Sequence, residues 1–582
     1  MGDHVRALEA WRGALALEHE LGHRGDEAES LARIADAHEA LGEDLSAIEA
    51  RERAIALARA TGYRDVALRQ QRALAHTRLV RGELAEALAL AEAVARDTDA
   101  VARGLAESQV TSAREGAASV FEIGARAAAG LGDADKTAFF LETGRAGALL
   151  GTMRNRSALQ EAVLSPELAF ALSRARARET AAVLAYRESL DGGSRASIRA
   201  ANANMDAART AVEEVMRRIE REAKRAKRIL DPTVDDLATI CGRLAGDEAL
   251  VLFGLFEKDP LALVVEKDGA RIVALADAEA IVADVEVLLD EIERRTDPRA
   301  AQAALGRLNL RIIAPLGLRS AVRRVFVSPD GALAHVPFPA VIPDKDVICV
   351  PSGTTYGILL EEGLIRGRDI LAVGDPDYDA GRAAGARAGT SYGRLPPLPE
   401  SAEEARAVGD ILLLSRDATE ARVRDALLGA HPRWRGLHFA CHGVIDQERP
   451  EASALALTQS DADDGFLTCL EVLGLRIRAD LVVLSACETA TGKLVRGEGV
   501  IGPTRAFLFA GAPRVVCSLW RVDDAATRAL MTKFYDLWNP RRGRIGIDAS
   551  EALRKAQAYV RDQPAWRHPY YWAAWTLWGR AD

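Results

Sequence analysis

The chain has 582 residues, 28% of them charged and 49% hydrophobic, and a formal net charge of −9. That length exceeds what one core can organise and predicts two or three domains, while the mild acidity argues against a direct nucleic-acid surface. Cys241, Cys349, Cys441, Cys469, Cys487 and Cys517 form no CxxC pair and no Cys/His cluster at zinc spacing. They therefore exclude a disulfide framework, give no metal or cofactor motif, and point to a reduced intracellular protein. No apolar run reaches the roughly 18 residues of a spanning helix, and the start lacks the apolar core of a signal peptide. The expected location is the cytoplasm, away from membranes.

Three segments align without gaps from Gly2, Gly42 and Gly82: Gly2-Asp3-His4-Val5-Arg6-Ala7-Leu8, Gly42-Glu43-Asp44-Leu45-Ser46-Ala47-Ile48 and Gly82-Glu83-Leu84-Ala85-Glu86-Ala87-Leu88. The period is 40 residues, and a looser copy begins at Gly132. Amphipathic stretches from Leu31 to Leu41 and from Leu68 to Val80 end at these glycines, which predicts helix–turn–helix repetition with Gly as the helix stop. The first copy begins without a leading helix, which an array continued in a longer chain or an abrupt start would both give. The pattern resembles tetratricopeptide repeats, with a longer period. Residues 1–150 are thus expected to form an α-helical repeat solenoid that docks an activating protein partner; the plainer reading is a packing scaffold.

Residues 151–245 read as long charged helices with a break at Asp191-Gly192-Gly193-Ser194. The basic run from Arg217 to Arg228 is interleaved with Glu220 and Glu222 and lacks aromatics, so it reads as a solvated helix face. From 246 to 582 strand signals alternate with helices. Ala249 to Phe256 and Leu261 to Glu266 are apolar runs, and Lys267-Asp268-Gly269 before Arg271 to Leu275 marks a hairpin. Helices are expected over Ala278 to Arg295 and Ala301 to Ile313. Further strands are expected around Arg324 to Val327 and Ile370 to Val373. This alternation predicts an α/β domain with a mostly parallel sheet. The Gly-, Ala- and Pro-rich stretch from Gly381 to Leu398 reads as a flexible loop open to proteolysis.

Two stretches near the end share one design. Leu437-His438-Phe439-Ala440-Cys441-His442-Gly443 and Leu481-Val482-Val483-Leu484-Ser485-Ala486-Cys487 each run as a buried strand into a reactive side chain. Parallel sheets place their ligands just beyond the carboxyl ends of the strands. A thiol there becomes a nucleophile when a histidine favours its thiolate. His442 and Cys487 are therefore a candidate Cys–His dyad, and the N–H groups of Gly443 and Cys487 a candidate oxyanion hole. The residues alone leave a second reading open, in which Cys487 is a small buried residue at a strand end.

Ala440-Cys441-His442-Gly443 and Ser485-Ala486-Cys487-Glu488-Thr489 resemble the two signature motifs of the CHAT family, caspase-like peptidases often fused to tetratricopeptide repeats. The likeness continues through Gly497-Glu498-Gly499-Val500, Ala506 to Ala512, Ser518 to Asp524 and His568-Pro569-Tyr570-Tyr571-Trp572-Ala573. It also takes in Ser328-Pro329-Asp330-Gly331 with Val336-Pro337-Phe338, and so covers roughly Asp247 to the C-terminus. It implies a caspase/separase-type fold in which His442 is the base and Cys487 the nucleophile. It further implies an aspartate after the strand Arg514 to Leu519 that accepts a basic side chain, with Asp524 the nearer match and Asp523 beside it. The competing role for either aspartate is to cap the helix that starts near Ala525.

Several other patterns compete for function. Gly497-Glu498-Gly499-Val500-Ile501-Gly502 spells GxGxxG, but a dinucleotide site needs those glycines directly after a strand, and ten residues separate them from Ala486. His438 and His442 would stand about 13 Å apart along a strand, too far to share a metal. His438 reads as structural, His335 as a loop residue, and Cys469 and Cys517 as core. The resulting expectation is a cysteine endopeptidase that cuts a protein target after a basic residue, regulated through its repeats. By resemblance its setting is bacterial defence, with a gasdermin-like or other effector substrate. The alternative is a catalytically silent adaptor that works by protein–protein contact.

Overall fold

Left-handed glycines punctuate the helical first part of the chain. In the computed structural model Gly22, Gly42, Gly62, Gly82 and Gly132 all have φ between 71° and 80°. The model describes residues 2–102, 107–145, 234–295, 297–361, 366–379, 395–446, 453–460, 463–485, 493–495, 499–539 and 546–581, with scattered positions between 174 and 215. It divides into two units, Met1–Gly144 and Arg145–Asp582.

In the first unit the glycines at 22, 42, 62 and 82 end one helix every 20 residues, so the 40-residue sequence period is a pair of helices. The helices are α1 (Gly2–Leu21), α2 (Arg24–Ala40), α3 (Asp44–Thr61), α4 (Arg64–Val80), α5 (Leu84–Ala102) and α6 (Glu107–Gly130), with residues 134–145 helical beyond them. Both α2 and α4 begin earlier than their apolar stretches suggested. Alanines carry the close approach: Ala28, Ala54 and Ala58 have no exposed surface and pack with Leu31, Val66 and Ala67. One buried charge ties three helices together. The fully buried Arg51 on α3 reaches Glu39 on α2 at 2.6 Å and Thr77 on α4 at 3.3 Å.

The second unit holds an eleven-stranded sheet and two small ones. The strands are β1 (Glu248–Gly254), β2 (Leu261–Glu266), β3 (Gly269–Ala274), β4 (Arg324–Ser328), β5 (Asp346–Cys349), β6 (Arg368–Pro376), β7 (Ile411–Ser415), β8 (Trp434–Ala440), β9 (His442–Val444), β10 (Ala454–Ala456), β11 (Phe466–Thr468), β12 (Val482–Leu484), β13 (Lys493–Val495), β14 (Gly499–Ile501), β15 (Arg514–Ser518) and β16 (Trp575–Gly579). The large sheet runs β3-β2-β1-β4-β5-β16-β15-β12-β8-β6-β7. It consists of two parallel blocks of opposite direction: β1, β4, β5 and β16 form one, and β15, β12, β8, β6 and β7 the other. The blocks meet at the antiparallel pair β15–β16, and β2 and β3 extend the first as an antiparallel hairpin. N-terminal helical repeats followed by a mixed, mostly parallel α/β sheet are thus the architecture of the chain.

The apolar runs of β8, β12 and β15 are buried as fully two-sided strands require. The helix expected over Ala301 to Ile313 is instead α-helical at Pro298–Leu308 and continues as a π turn, Asn309–Ile313. Most of residues 151–233, the basic run among them, and most of the loop from Gly381 to Leu398 lie outside the described residues. Gly499 opens β14, which pairs antiparallel with β13, and Gly502 precedes the helix Pro503–Ala510, while Gly497 lies outside the described residues.

The spaces beside Gly42 and Gly62 are open, so a methyl there meets only the backbone penalty of a left-handed L-residue. Gly42→Ala and Gly62→Ala are each expected to cost about 1 kcal/mol, and together about twice that, read as the shift in urea unfolding of the first unit.

Candidate active site

The carboxyl ends of β6, β8, β12 and β15 open on one edge of the large sheet, because these strands run parallel with Gly374, Ala440, Leu484 and Ser518 near their ends. Between the flanking strands β8 and β15, β12 places Leu484 beside Phe439 and Cys517. Ser485 is the last described residue of that stretch; Cys487 lies outside the described residues.

His442 does not continue β8 as the apolar stretch suggested. The large sheet stops at Ala440, and His442 opens β9, which pairs with β10 in a separate three-stranded sheet. A tyrosine makes that departure possible. The hydroxyl of Tyr378, two residues beyond β6, accepts the His442 backbone N–H at 3.1 Å and lies 3.4 Å from the Ala456 carbonyl of β10. Its ring sits 5.2 Å from the imidazole. The turn into Tyr378 is itself strained, since Asp375 has φ 47° at an irregularity in the β6–β7 register.

The imidazole is buried, and its Nε2 lies 2.8 Å from the carbonyl oxygen of Pro396. A carbonyl can only accept, so Nε2 carries the hydrogen and, in the neutral ring, Nδ1 keeps the lone pair. Burial pushes the His442 pKa below the ordinary imidazole value; the Pro396 carbonyl opposes this, Arg521 adds to it, and Asp524 weakly opposes it. The ring is therefore a neutral base at neutral pH. Gly443 lies in β9 opposite Leu455 of β10.

Asp523 and Asp524 separate into two situations. Asp523 caps the helix Asp524–Trp538, its Oδ1 accepting the Ala526 N–H at 3.0 Å. Asp524 is the first residue of that helix and remains exposed. Partial desolvation raises its carboxyl pKa, Arg521 lowers it, and Asp523, Glu404 and Glu400 raise it further. The helix that it opens follows the carboxyl end of β15, which puts it on the edge where β8 ends before His442.

The remaining candidates are structural. His438 is fully buried, with Nε2 3.0 Å from Glu404. His335 lies in a short 3-10 turn, and burial lowers its pKa. Cys241, Cys349, Cys441, Cys469 and Cys517 are all buried, and burial pushes Cys517 up to about 11. Among the described residues no cluster of His, Cys, Asp or Glu could hold a metal, and no helix is long and apolar enough to cross a membrane.

A scan of protein families matches residues 302–580 to the CHAT domain. This stretch is a CHAT domain. The match begins later than the resemblance from about Asp247 suggested. Tetratricopeptide repeat protein 28 of Homo sapiens is 34% identical across 31% of this chain and 8% of its own length, and the Mus musculus protein is 33% identical across 31% and 9%. The chain thus matches less than a tenth of these curated relatives. Among solved structures, the Saccharomyces cerevisiae separase–securin complex aligns over 96% of this chain and 54% of that chain at 10% identity and TM-score 0.41. A Podosopora anserina putative kinesin light chain with TPR-like repeats aligns over 39% of this chain and 90% of its own, at 18% identity and TM-score 0.20. The CHAT domain here follows helical repeats.

Tyr378, Pro396 and Arg521 were not picked out by sequence reasoning. Tyr378 follows Asp375-Pro376-Asp377, a turn signal with no hint of a distant partner. Pro396 belongs to a proline run that reads as loop.

Two measurements check this geometry. Tyr378→Phe leaves the His442 N–H without its acceptor and is expected to lower stability by about 1–2 kcal/mol, measured by thermal unfolding. For pH, the unfolded imidazole titrates near 6.5 and the folded one below it. The unfolded state therefore takes up the proton first. The contribution of the buried neutral ring is full above about pH 6.5 and is lost as pH falls through the folded value. His442→Gln is expected to flatten that slope in a series of melts from pH 7.5 to 5.

Proposed function

We propose that the CHAT domain is a cysteine endopeptidase with Cys487 as nucleophile and His442 as base. The observation that carries this reading is the His442 ring, held by Pro396 so that Nδ1 is the free basic nitrogen. Strand order supports the pairing: β8 and β12 are parallel neighbours, with Leu437 beside Val482 and Phe439 beside Leu484, and the stretches that follow their carboxyl ends carry His442 and Cys487.

In the mechanism, His442 Nδ1 takes the thiol proton and the Cys487 sulfur bonds to the scissile carbonyl carbon. The oxyanion is received by the N–H groups of Gly443 and Cys487. Collapse breaks the C–N bond, and the imidazolium returns its proton to the leaving amine. Water, deprotonated by the same histidine, then hydrolyses the thioester and frees the thiol. Asp524 is the candidate acceptor for a basic side chain before the scissile bond: it is exposed on the same edge, whereas Asp523 is engaged as a helix cap. The helical repeats dock a protein partner that regulates cleavage.

The test is a peptide-library digest with cut sites mapped by mass spectrometry. Cys487→Ala and His442→Ala are each expected to lower cleavage on the order of 10³-fold or more. Cuts that survive either change would overturn the dyad. Asp524→Asn is expected to reduce cutting after Arg and Lys roughly 10-fold or more; an unchanged preference would remove Asp524 from the pocket.

A further inference from the structure

Beyond His442, the carboxyl-end edge of β8 is backed by a second histidine for which the mechanism has no use. His438 points into the core four residues earlier on the same strand, with no exposed surface. Its Nε2 faces Oε1 of Glu404 at 3.0 Å, and the Glu404 side chain is only 5% exposed. The approach is an ion-pair contact, and neither atom has a hydrogen-bond partner among the described residues. A buried carboxylate oxygen and imidazole nitrogen that face each other in this way are costly to separate, so they hold their two elements at one relative position. A greasy contact would tolerate sliding.

The element that carries Glu404 is the helix Pro399–Val408, and Pro396 lies three residues before it. That helix lies tightly against β6. A Cβ on Gly374 would come within 2.6 Å of the Ser401 carbonyl. The Ser401 hydroxyl accepts the Asp375 N–H at 2.7 Å and donates to the Leu398 carbonyl at 2.7 Å. The approach to Pro396 is thus fixed from β6 on one side and from β8 on the other. A third element joins the cluster: Tyr535, on the helix Asp524–Trp538, places its hydroxyl 3.4 Å from His438 Nδ1. Arg528 on that helix lies 3.4 Å from Glu400 on the other. Arg435 and Asp524 are the other charges close enough to be felt, at Tyr535 and at Glu404 respectively.

We propose that Glu404 and His438 are positioning residues of the peptidase site: their buried contact locks the helix Pro399–Val408 onto β8 and thereby holds the Pro396 carbonyl on His442 Nε2. This rests on the dyad reading above. The role is indirect, since neither residue reaches the edge where His442 and Asp524 lie. It sets the ring's orientation and tautomer, and so the thiolate fraction of Cys487.

Alkylation of the full chain by iodoacetamide, followed per cysteine by mass spectrometry across pH 5.5 to 9, tests this without a known substrate. The five described cysteines are buried, so slow alkylation at Cys441 and Cys517 reports an intact fold. Wild-type Cys487 is expected to react with a midpoint below the roughly 8.5 of a free thiol, and His442→Ala to abolish that shift. Glu404→Gln is expected to move the midpoint toward that of His442→Ala and to slow alkylation at pH 6.5 by roughly five- to tenfold. The double change Glu404→Leu with His438→Leu keeps an apolar contact and protects against loss of fold; it is expected to keep Cys441 and Cys517 slow while losing the Cys487 shift. A wild-type Cys487 profile in the folded double variant would overturn the positioning role alone. A wild-type profile in His442→Ala would overturn the dyad and this inference with it.

Discussion

Everything at the candidate site depends on the parallel alignment of β6, β8, β12 and β15. Parallel strands deliver their carboxyl ends to a common edge, and the loops leaving that edge are free to carry chemistry because the strands beneath them are largely buried. From this single constraint follow the positions of Tyr378 after β6, His442 after β8 and Asp524 after β15. Local chemistry then adjusts them. The Tyr378 hydroxyl draws His442 out of the large sheet, and the Pro396 carbonyl chooses which imidazole nitrogen is protonated.

The site is over-determined by groups that would be costly if left alone. The positive φ of Asp375 and the buried imidazoles of His438 and His442 are each unfavourable in isolation. They persist because each is answered by a neighbour on a different element: Ser401 for the Asp375 N–H, Glu404 for His438, the Pro396 carbonyl for His442. Such cross-element answers make the arrangement hard to deform in small steps, which is what a reaction centre built on loops requires.

The sequence carried the strands and the helical repeat well, because both have local signals. Continuous apolar runs announced β8, β12 and β15, and the 40-residue glycine period announced the helical unit. Its finer grain escaped notice: Gly22 and Gly62 are the same left-handed stops one helix earlier, but their flanks differ from those at 42 and 82. The short strands β9, β10 and β11 were missed since three-residue strands lack a period to read. The contacts of Tyr378, Pro396 and Glu404 were invisible for a deeper reason. Each joins residues 46 to 64 or some 34 positions apart, and nothing in the local composition records such pairing. The two aspartates show the same limit at short range. Cap and pocket roles were equally written into Asp523-Asp524, and the Ala526 N–H assigned the cap to Asp523.

The place of β16 has a consequence for how the molecule is made. Although it follows every other strand in the chain, it sits in the interior of the sheet, parallel to β5 and antiparallel to β15. A ribosome emitting this chain produces two half-sheets, each with a raw inner edge, and the strand that seals both arrives after them. Until then neither edge has its hydrogen-bonding partner, and such edges invite pairing with the wrong chain. The sheet beneath the candidate site therefore cannot close during synthesis before β16 has emerged.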